Sequence, residues 1–365
     1  MNSYQSKNRR SANYLKAARF DSPEWIPCQA NFLPAVWITH REDIEELVLA
    51  HPRLFPGYER GSTDFDQKDM YPLFKTGKQP DNWQCVWETA EPGVHGQVTE
   101  HPLADWDRFE QWRANAPNPL TKELFGDRDW DALEKELAQS KADGELASAY
   151  TLWHGFFFLR LIDLRGFENF MIDLAMEDPR LMELMKIVED YDVQVVRKTM
   201  ECGPEMMIFA EDLGFQTSLP MSPEMWRKFI KPAYERIIGP CRDRGLLNFL
   251  HSDGRIIDII PDLIEVGVHI LNPQLRSNGL ADLKDVAVGK VCLAQDLDRQ
   301  LFPFASASEI EDHIGEVHDT LSRPDGGLML VAEIDHRLPL DKVDAIFDAL
   351  EKICKLPDAS VQLEK

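Results

Sequence analysis

Basic residues are scarce in this chain of 365 residues, in which 40 Lys and Arg stand against 63 Asp and Glu, for a net charge of −23. A surface this acidic repels phosphate backbones and anionic lipid, so neither nucleic acid nor a membrane is an expected partner. Long apolar runs are absent too, because 156–162 and 256–271 are interrupted by charges and fall short of the ~18 residues of a membrane span. We therefore expect a cytoplasmic protein that acts on a small molecule.

Cysteine is also rare, and its six copies stand far apart with no CxxC pair. This spacing excludes both a disulfide framework and a zinc ribbon. Residues 1–20 are basic but lack the apolar core of a secretory signal, so we expect a short basic helix or arm that packs on the acidic body. The hydrophobic share of 44% and the charged share of 28% are ordinary for a folded globular chain.

The second half of the chain alternates between short apolar runs and helical patterns. The runs occupy residues 206–210, 246–250, 268–271, 290–294 and 328–332. Each run is continuous, which is typical of a parallel strand buried on both faces. Between the first two runs, Ser222 is placed to cap a helix that Pro232 and Pro240 kink or divide, and Gly245 and Gly267 are placed to end helices.

Together with 147–200, these repeats fill most of the ~250 residues of a (β/α)8 barrel. A doubly wound open sheet is the rival fold, but the Gly-rich phosphate turn that marks it is missing here. We therefore predict an α/β protein with a TIM-barrel domain over residues 116–365. Residues 1–115 are interpreted as an irregular, Trp-rich N-terminal extension, since seven of the nine tryptophans precede residue 131. These rings either line an aromatic mouth or pack the extension on the barrel.

Polar side chains follow each apolar run. They are Glu211 and Asp212, His251 and Asp253, Asn272 and Gln274, Gln295 and Asp296, and Glu333 and His336. His154, at the end of an earlier run, is a further candidate. Because barrel enzymes carry their chemistry at the carboxyl ends of the strands, the pattern predicts one shared active site.

His251 and Asp253 form the sharpest local signal, since two residues apart at a strand end both can turn toward one ion. With Glu333 they offer one nitrogen and two oxygens, a set suited to Zn²⁺, Fe²⁺ or Mn²⁺. In the alternative interpretation, Asp253 caps the helix that begins at Arg255, and His251 bonds a neighbouring loop. Asp212 and its neighbour Glu211 are likewise open to two roles, as a general base or substrate ligand and as structural carboxylates.

The segments 164–169, 211–214, 221–226, 251–254, 267–274 and 326–350 occur in an order and spacing that resembles the uroporphyrinogen decarboxylase-like superfamily. The resemblance covers about residues 80–355. It implies a (β/α)8 barrel with one of two activities. The superfamily contains true decarboxylases and also zinc methyltransferases that work with corrinoid proteins.

Two departures from the superfamily patterns favour the methyltransferase side, and within it the O-demethylase branch. No segment before residue 110 is similar to the Arg-Gln-Ala-Gly-Arg stretch of true decarboxylases. The thiol-activating methyltransferases have Cys where Asp253 stands and another Cys near Glu333, whereas this chain has oxygen donors at both places. Oxygen ligands suit a metal that polarises an ether or phenol oxygen.

The resemblance thus implies a metal-dependent methyltransferase that moves a methyl group from a methoxylated, aromatic substrate to a corrinoid on a partner protein. It implies a divalent metal, with Zn²⁺ as the first candidate, on His251, Asp253 and Glu333. The catalytic residues would be Asp212, His251 and Asp253, and the substrate would be bound by Asn272, Gln274, Gln295, His154 and His336.

The alternative function is a metal-free decarboxylase that acts on a carboxylated small molecule. In that case Asp212 would stabilise a protonated intermediate, and Arg165, Arg255 or Arg337 would bind the carboxylate. A barrel that serves only as a scaffold is a third hypothesis, and a homodimer is a possible assembly.

Overall fold

The computed structural model describes residues 7–365, so the first six residues of the expected basic arm lie outside the described part. The rest of that arm forms a helix, as expected. No helix within residues 7–365 is both long and apolar enough to cross a membrane. The strands are β1 (Cys28–Phe32), β2 (Gly77–Pro80), β3 (Val86–Thr89), β4 (Gln97–Glu100), β5 (Ser148–Ala149), β6 (Met206–Glu211), β7 (Leu247–Ser252), β8 (Ile270–Pro273), β9 (Cys292–Asp296) and β10 (Leu328–Ile334).

The helices lie between and around these strands. They are α1 (Arg9–Ala18), α2 (Pro34–Ala50), α3 (Phe109–Arg113), α4 (Trp130–Asp143), α5 (Phe158–Arg165), α6 (Phe167–Met176), α7 (Pro179–Glu201), α8 (Pro223–Phe229), α9 (Lys231–Asp243), α10 (Ile260–Val266), α11 (Leu275–Asn278), α12 (Leu280–Ala287), α13 (Ala307–Leu321), α14 (Leu340–Ile353) and α15 (Ala359–Gln362). Short 3-10 turns cover 72–74, 106–108 and 257–259.

Seven parallel strands form one curled sheet in the order β1-β10-β9-β8-β7-β6-β5. From β5 to β10 each strand pairs with the next one along the chain, as in a barrel, and this confirms the α/β class. The expectation of eight strands is met only in part. Within residues 7–365, β1 and β5 are the two edges of the sheet, and no ladder joins them.

The two faces of the sheet bury different side chains because neighbouring residues of a strand point to opposite sides. Outward residues such as Phe209, Leu250 and Leu293 belong to the main core beneath the helices. Inward residues near the amino ends of the strands, such as Met206 and Leu247, form a second apolar cluster. Leu15 and other residues of α1 join that cluster. Helix α1 therefore closes the amino end of the curled sheet.

The helix signals in the sequence are realised where they were expected. The Ser222 hydroxyl accepts the Met225 backbone N–H at 3.2 Å and caps α8, and the expected helix divides before Pro232. Gly267, with φ of 114°, ends α10 in the left-handed conformation. These local rules hold because each depends on groups only a few residues apart.

The part of the chain before residue 116 contributes directly to the central sheet. Strand β1 pairs in parallel with β10, with Asn31 opposite Glu333. Strands β2, β3 and β4 form a separate antiparallel sheet. The extension is thus more regular than expected. Five of its tryptophans, Trp25, Trp83, Trp87, Trp106 and Trp112, are buried. The proposed boundary between residues 115 and 116 stays a prediction.

The loops that follow β6 and β7 meet backbone to backbone at two glycines. A Cβ at Gly254, whose φ is +80°, would stand 1.9 Å from the Gly214 carbonyl oxygen. A Cβ at Gly214 would stand 2.4 Å from the backbone nitrogen of Arg255. Only glycine permits this approach, which fixes the loop that carries Asp253.

We expect Gly254→Ala to destabilise the protein by at least ~3 kcal/mol, because the added methyl group collides with rigid backbone in addition to the left-handed strain. Gly245→Ala is the matched control, since Gly245 has nearly the same φ, +76°, and open space around its Cβ position. That control should cost only ~1–2 kcal/mol. Chemical denaturation of both variants measures the difference, and equal losses would contradict the close approach of the two loops.

Candidate functional site

A cavity of about 1070 Å³ lies inside the curled sheet. Its wall at the carboxyl ends of the strands carries a dense group of polar side chains. They are His95, His154, Asp212, His251, Asp253, Asn272, Asp296, Arg299, Glu333 and Asn31. The sequence prediction of one shared site at the strand ends agrees with this geometry.

Asn272 connects the two neighbouring strands on either side of it. Its Nδ2 donates to the Ala294 carbonyl at 2.5 Å and to Asp296 Oδ1 at 2.6 Å. Because both partners are acceptors, the amide orientation is determined, and Oδ1 faces His251 Nδ1 at 2.6 Å. An amide oxygen only accepts, so Nδ1 of His251 carries a hydrogen. The second ring nitrogen, Nε2, points to Asp253 Oδ1 at 3.3 Å.

The charges around His251 favour its protonated form when no cation is present. Burial lowers the pKa of His251, but the hydrogen bond and charge of Asp253, together with Asp296, outweigh burial and raise the pKa to about 9. Burial raises the pKa of Asp296 to about 6, although His251 and Asn272 act in the opposite direction. The imidazole is thus surrounded by enough negative charge to hold a cation.

Among residues 7–365, two groups of three side chains have ligand atoms within 4.8 Å of one another. One consists of His251, Asp253 and Asp296, and the other of His154, Asp212 and His251. The first group fits a divalent metal, because Asn272 fixes the His251 ring through Nδ1 and leaves Nε2 beside two carboxylates. Metal-binding histidines typically donate a hydrogen bond from the ring nitrogen that does not bind the metal, which here is Nδ1.

His154 and Asp212 form a second polar pair on the cavity wall. His154 Nε2 donates to Asp212 Oδ1 at 2.9 Å. Burial lowers the pKa of His154, but the hydrogen bond and charge of Asp212 raise it above the usual value overall. Burial raises the pKa of Asp212, yet the bond and charge of His154 lower it below its usual range overall. The pair therefore shares a proton beside the metal-binding group.

His95, from the loop between β3 and β4, brings a third imidazole to this wall. Its ring centroid lies 6.1 Å from that of His154. His95 Nδ1 donates to the Gly96 carbonyl at 2.8 Å, so Nε2 is the ring nitrogen left to accept a hydrogen bond. Burial lowers the pKa of His95, and the nearby His154 lowers it further. A neutral acceptor thus stands next to a protonated pair.

Of the two roles considered for Glu211, the geometry supports the structural one. The side chain is fully buried, and its carboxylate accepts the backbone N–H groups of Phe157, Phe158 and Leu159 at 2.7 to 3.1 Å. It therefore holds the amino end of α5 against β6. Asp253 does not cap a helix, since its carboxylate contacts His251 and Arg299.

Four of the residues expected at the site are placed differently. Glu333 lies on the cavity wall and accepts from Asn31 at 2.7 Å, but Asp296 stands in its place beside His251 and Asp253. Gln274, Gln295 and His336 lie off the cavity wall.

These three side chains are engaged elsewhere. Gln274 accepts the Gly254 backbone N–H at 3.0 Å, and Gln295 donates to the carbonyls of Pro273 and Asp296. His336 lies 3.4 Å from Glu91. Strand alternation explains why the Gln295 side chain points away from the cavity, because its neighbours Ala294 and Asp296 take the inward positions.

Asn31, His95 and Arg299 are functional candidates that the sequence prediction did not select. Asp296 was among the predicted strand-end residues, but Glu333 was predicted in its place beside His251 and Asp253. The signal for Asp296 was available, since inward positions of β9 alternate from Cys292 through Ala294 to Asp296. Nothing local marks Asn31 or His95, because both reach the site only through the packing of the N-terminal part on the sheet.

The family model described as Uroporphyrinogen decarboxylase (URO-D) matches residues 160–353. No curated protein is similar enough in sequence to count as a match. A solved methyltransferase from Methanosarcina mazei aligns with a TM-score of 0.59 and 15% identity, over 95% of this chain and 99% of its own. A B12-independent methionine synthase from Shewanella sp. W3-18-1 aligns with a TM-score of 0.42 and 10% identity, over 64% of this chain and 70% of its own. The methyltransferase likeness shows a shared fold.

We expect Asn272→Ala to destabilise the protein by ~2 kcal/mol or more, because it leaves the buried Asp296 carboxylate without its donor. It should also release the His251 ring, so that its long-range ¹H–¹⁵N spectrum no longer shows a fixed Nδ1–H. Asn169→Ala is the control, since the Asn169 amide makes only contacts of 3.4 Å near the surface, and it should change stability by less than ~0.5 kcal/mol. An unchanged His251 spectrum in Asn272→Ala would contradict the orienting role.

Proposed function

Because the chain belongs to the uroporphyrinogen decarboxylase family, we propose that it is a metal-dependent methyltransferase of the O-demethylase type. The methyl group would come from a methoxylated aromatic small molecule and pass to a corrinoid carried by a partner protein. The observation that carries the proposal is the convergence of His251, Asp253 and Asp296, with Asn272 fixing the imidazole. The shared fold with a solved methyltransferase supports it.

His251 Nε2, Asp253 and Asp296 would hold one divalent ion, with Zn²⁺ as the first candidate. When bound, this ion would supply the Lewis acidity that polarises the ether oxygen of the substrate. Asn272 keeps Nε2 in the tautomer that can bind, and it holds Asp296 in place from the other side. Glu333 and Asn31, on the same wall, would contact the substrate.

The pair of His154 and Asp212 would supply a proton. Once the methyl group has left as the electrophile, the substrate oxygen keeps the bonding electrons and becomes a phenolate. The proton shared between His154 Nε2 and Asp212 Oδ1 lies on the same wall and can neutralise that charge. The neutral Nε2 of His95 would accept a hydrogen bond from a hydroxyl group of the substrate.

The metal-free decarboxylase is the second hypothesis, and its arginines are not at the cluster. Arg165 is buried against Asp173 at 2.7 Å, Arg255 pairs with Asp282 at 3.2 Å, and the exposed Arg337 pairs with Asp335 at 3.0 Å. None of the three lies on the cavity wall. Turnover that persists after treatment with a strong chelator would favour this alternative.

We also propose that the curled seven-stranded sheet is an incompletely closed (β/α)8 barrel. Gln29 of β1 and Ser148 of β5 both line the cavity, as does Val98 of β4. The eighth barrel position would then lie between β1 and β5, and the small sheet would cover this gap. This arrangement would let the N-terminal part bring His95 to the strand ends.

We expect the purified wild-type protein to contain about one Zn²⁺ per chain. The His251→Ala variant should lose both the metal and the demethylation activity. His318→Ala is the control, since His318 lies on α13 beside Asp319 and away from the cavity. Elemental analysis of both variants measures the metal. A wild-type protein without metal, with His251→Ala still active, would contradict the proposal.

The third ligand can be identified with two isosteric variants. We expect Asp296→Asn to lower the metal affinity by about 10-fold to 100-fold or more, because an amide replaces an anionic ligand beside His251. Glu333→Gln should keep the metal, since Glu333 is hydrogen-bonded to Asn31 and stands outside the group of three. Competition with a chelating dye measures both affinities. The reverse order would return Glu333 to the metal site.

A further inference from the structure

The cavity continues far below the polar cluster. It follows β6 from Met206 to Asp212, which at about 3.3 Å per residue is roughly 20 Å. A methoxylated ring at the upper end would leave the lower end unfilled. The lower wall therefore bears on which substrates the site accepts.

Arg10 lies on this lower wall, near the amino end of the sheet. It stands on α1 one turn before Tyr14, and the Tyr14 hydroxyl reaches Met206 Sδ at 3.9 Å. Residues four apart share one helix face, so Arg10 and Tyr14 both face the sheet interior. Arg9, the neighbouring residue, is turned outward and bonds Glu24.

Arg10 is partly buried, and its guanidinium has no hydrogen bond or ion pair among the described residues. Arg108, Arg197 and Arg244 also lack such a partner there, but they are exposed. The other arginine of the cavity wall, Arg299, pairs with Asp253 at 3.4 Å near the upper end. The charged residues on the rest of the wall are mostly acids, including Asp163 and Glu145. A partly buried cation without a partner in such a cavity has an unmet electrostatic requirement.

We propose that Arg10 binds a carboxylate at the far end of the substrate. This inference rests on the proposed function and narrows its substrate class to methoxylated aromatic acids with an extended chain. A single guanidinium balances a single negative charge, and Glu145 lines the same end, so a monoanion fits better than a phosphate dianion. Tyr14 and Gln29 provide polar neighbours on that wall.

The carboxylate at Arg10 is an anchor and not the reacting group. It lies at the opposite end of the cavity from His251 and Asp253, where the ether oxygen would be placed. No bond of the carboxylate forms or breaks. Its hydrogen bonds to the guanidinium would fix how deeply the ring enters.

The test uses three acids of increasing length, para-methoxybenzoate, para-methoxyphenylpropanoate and para-methoxyphenylpentanoate, each paired with its neutral amide. Titration calorimetry on the full-length protein gives the Kd of each. We expect the preference for acid over amide to grow with chain length and to reach about tenfold or more for the acid that spans the cavity. Equal affinities of acid and amide at all three lengths would overturn the inference.

Arg10→Gln should abolish the preference of the longest acid, and Arg10→Lys should keep part of it, because the charge remains. Arg9→Gln is the matched control on the outer face of the same helix, and it should leave the preference unchanged. Circular dichroism confirms that each variant is folded. A preference that survives in Arg10→Gln but is lost in Arg299→Gln would place the anion at the upper end and overturn the inference.

The metal proposal and the anchor can fail separately. In His251→Ala, treated with chelator, the acid preference should persist because Arg10 lies at the other end of the cavity. If the protein holds no metal but shows this preference, the proposed reaction fails and the anion site stands. If the metal is present and the preference is absent, the anion site fails alone.

Discussion

The carboxamide of Asn272 is the interaction on which the site depends. Its oxygen and its nitrogen demand opposite partners, so one side chain sets both the tautomer of His251 and the position of Asp296. Both neighbours are titratable. Burial lowers the pKa of His251, but the hydrogen bond and charge of Asp253, together with Asp296, raise it to about 9. The hydrogen-bond network thus concentrates negative charge around one nitrogen, which is the property that a cation site needs.

The alternation of strand residues distributes chemistry along the cavity. Near the amino ends, the inward positions are apolar and pack on α1, as Met206 and Leu247 show. Near the carboxyl ends, the same inward columns present His251 and Asp296. The same two-residue alternation therefore gives each strand an apolar, closed amino end and a polar carboxyl end that can carry the chemistry. The contact between Gly214 and Gly254 fixes the loops that follow β6 and β7 at the carboxyl ends.

Because the chain is strongly acidic, an arginine without a carboxylate partner is informative about ligand binding. Most arginines of the described chain neutralise nearby carboxylates, as Arg165 does with Asp173 and Arg299 with Asp253. Arg10 differs because it faces a cavity rather than an acid. A metal ion at the strand ends and the Arg10 guanidinium, which has no partner among residues 7–365, would give the cavity a direction, because they would hold the two ends of one substrate.

The sequence by itself determined the strand and helix order from Met206 onward, because apolar runs, caps such as Ser222 and glycine stops depend on local groups. It also placed His251, Asp253 and Asn272 at strand ends that meet. Only the tertiary structure decided which neighbour completes the cluster, since strand parity turns Asp296 inward and Gln295 outward. Only the tertiary structure showed that β1 joins the central sheet and that His95 reaches the cavity. Contacts between residues far apart in sequence leave no periodic signal in the chain.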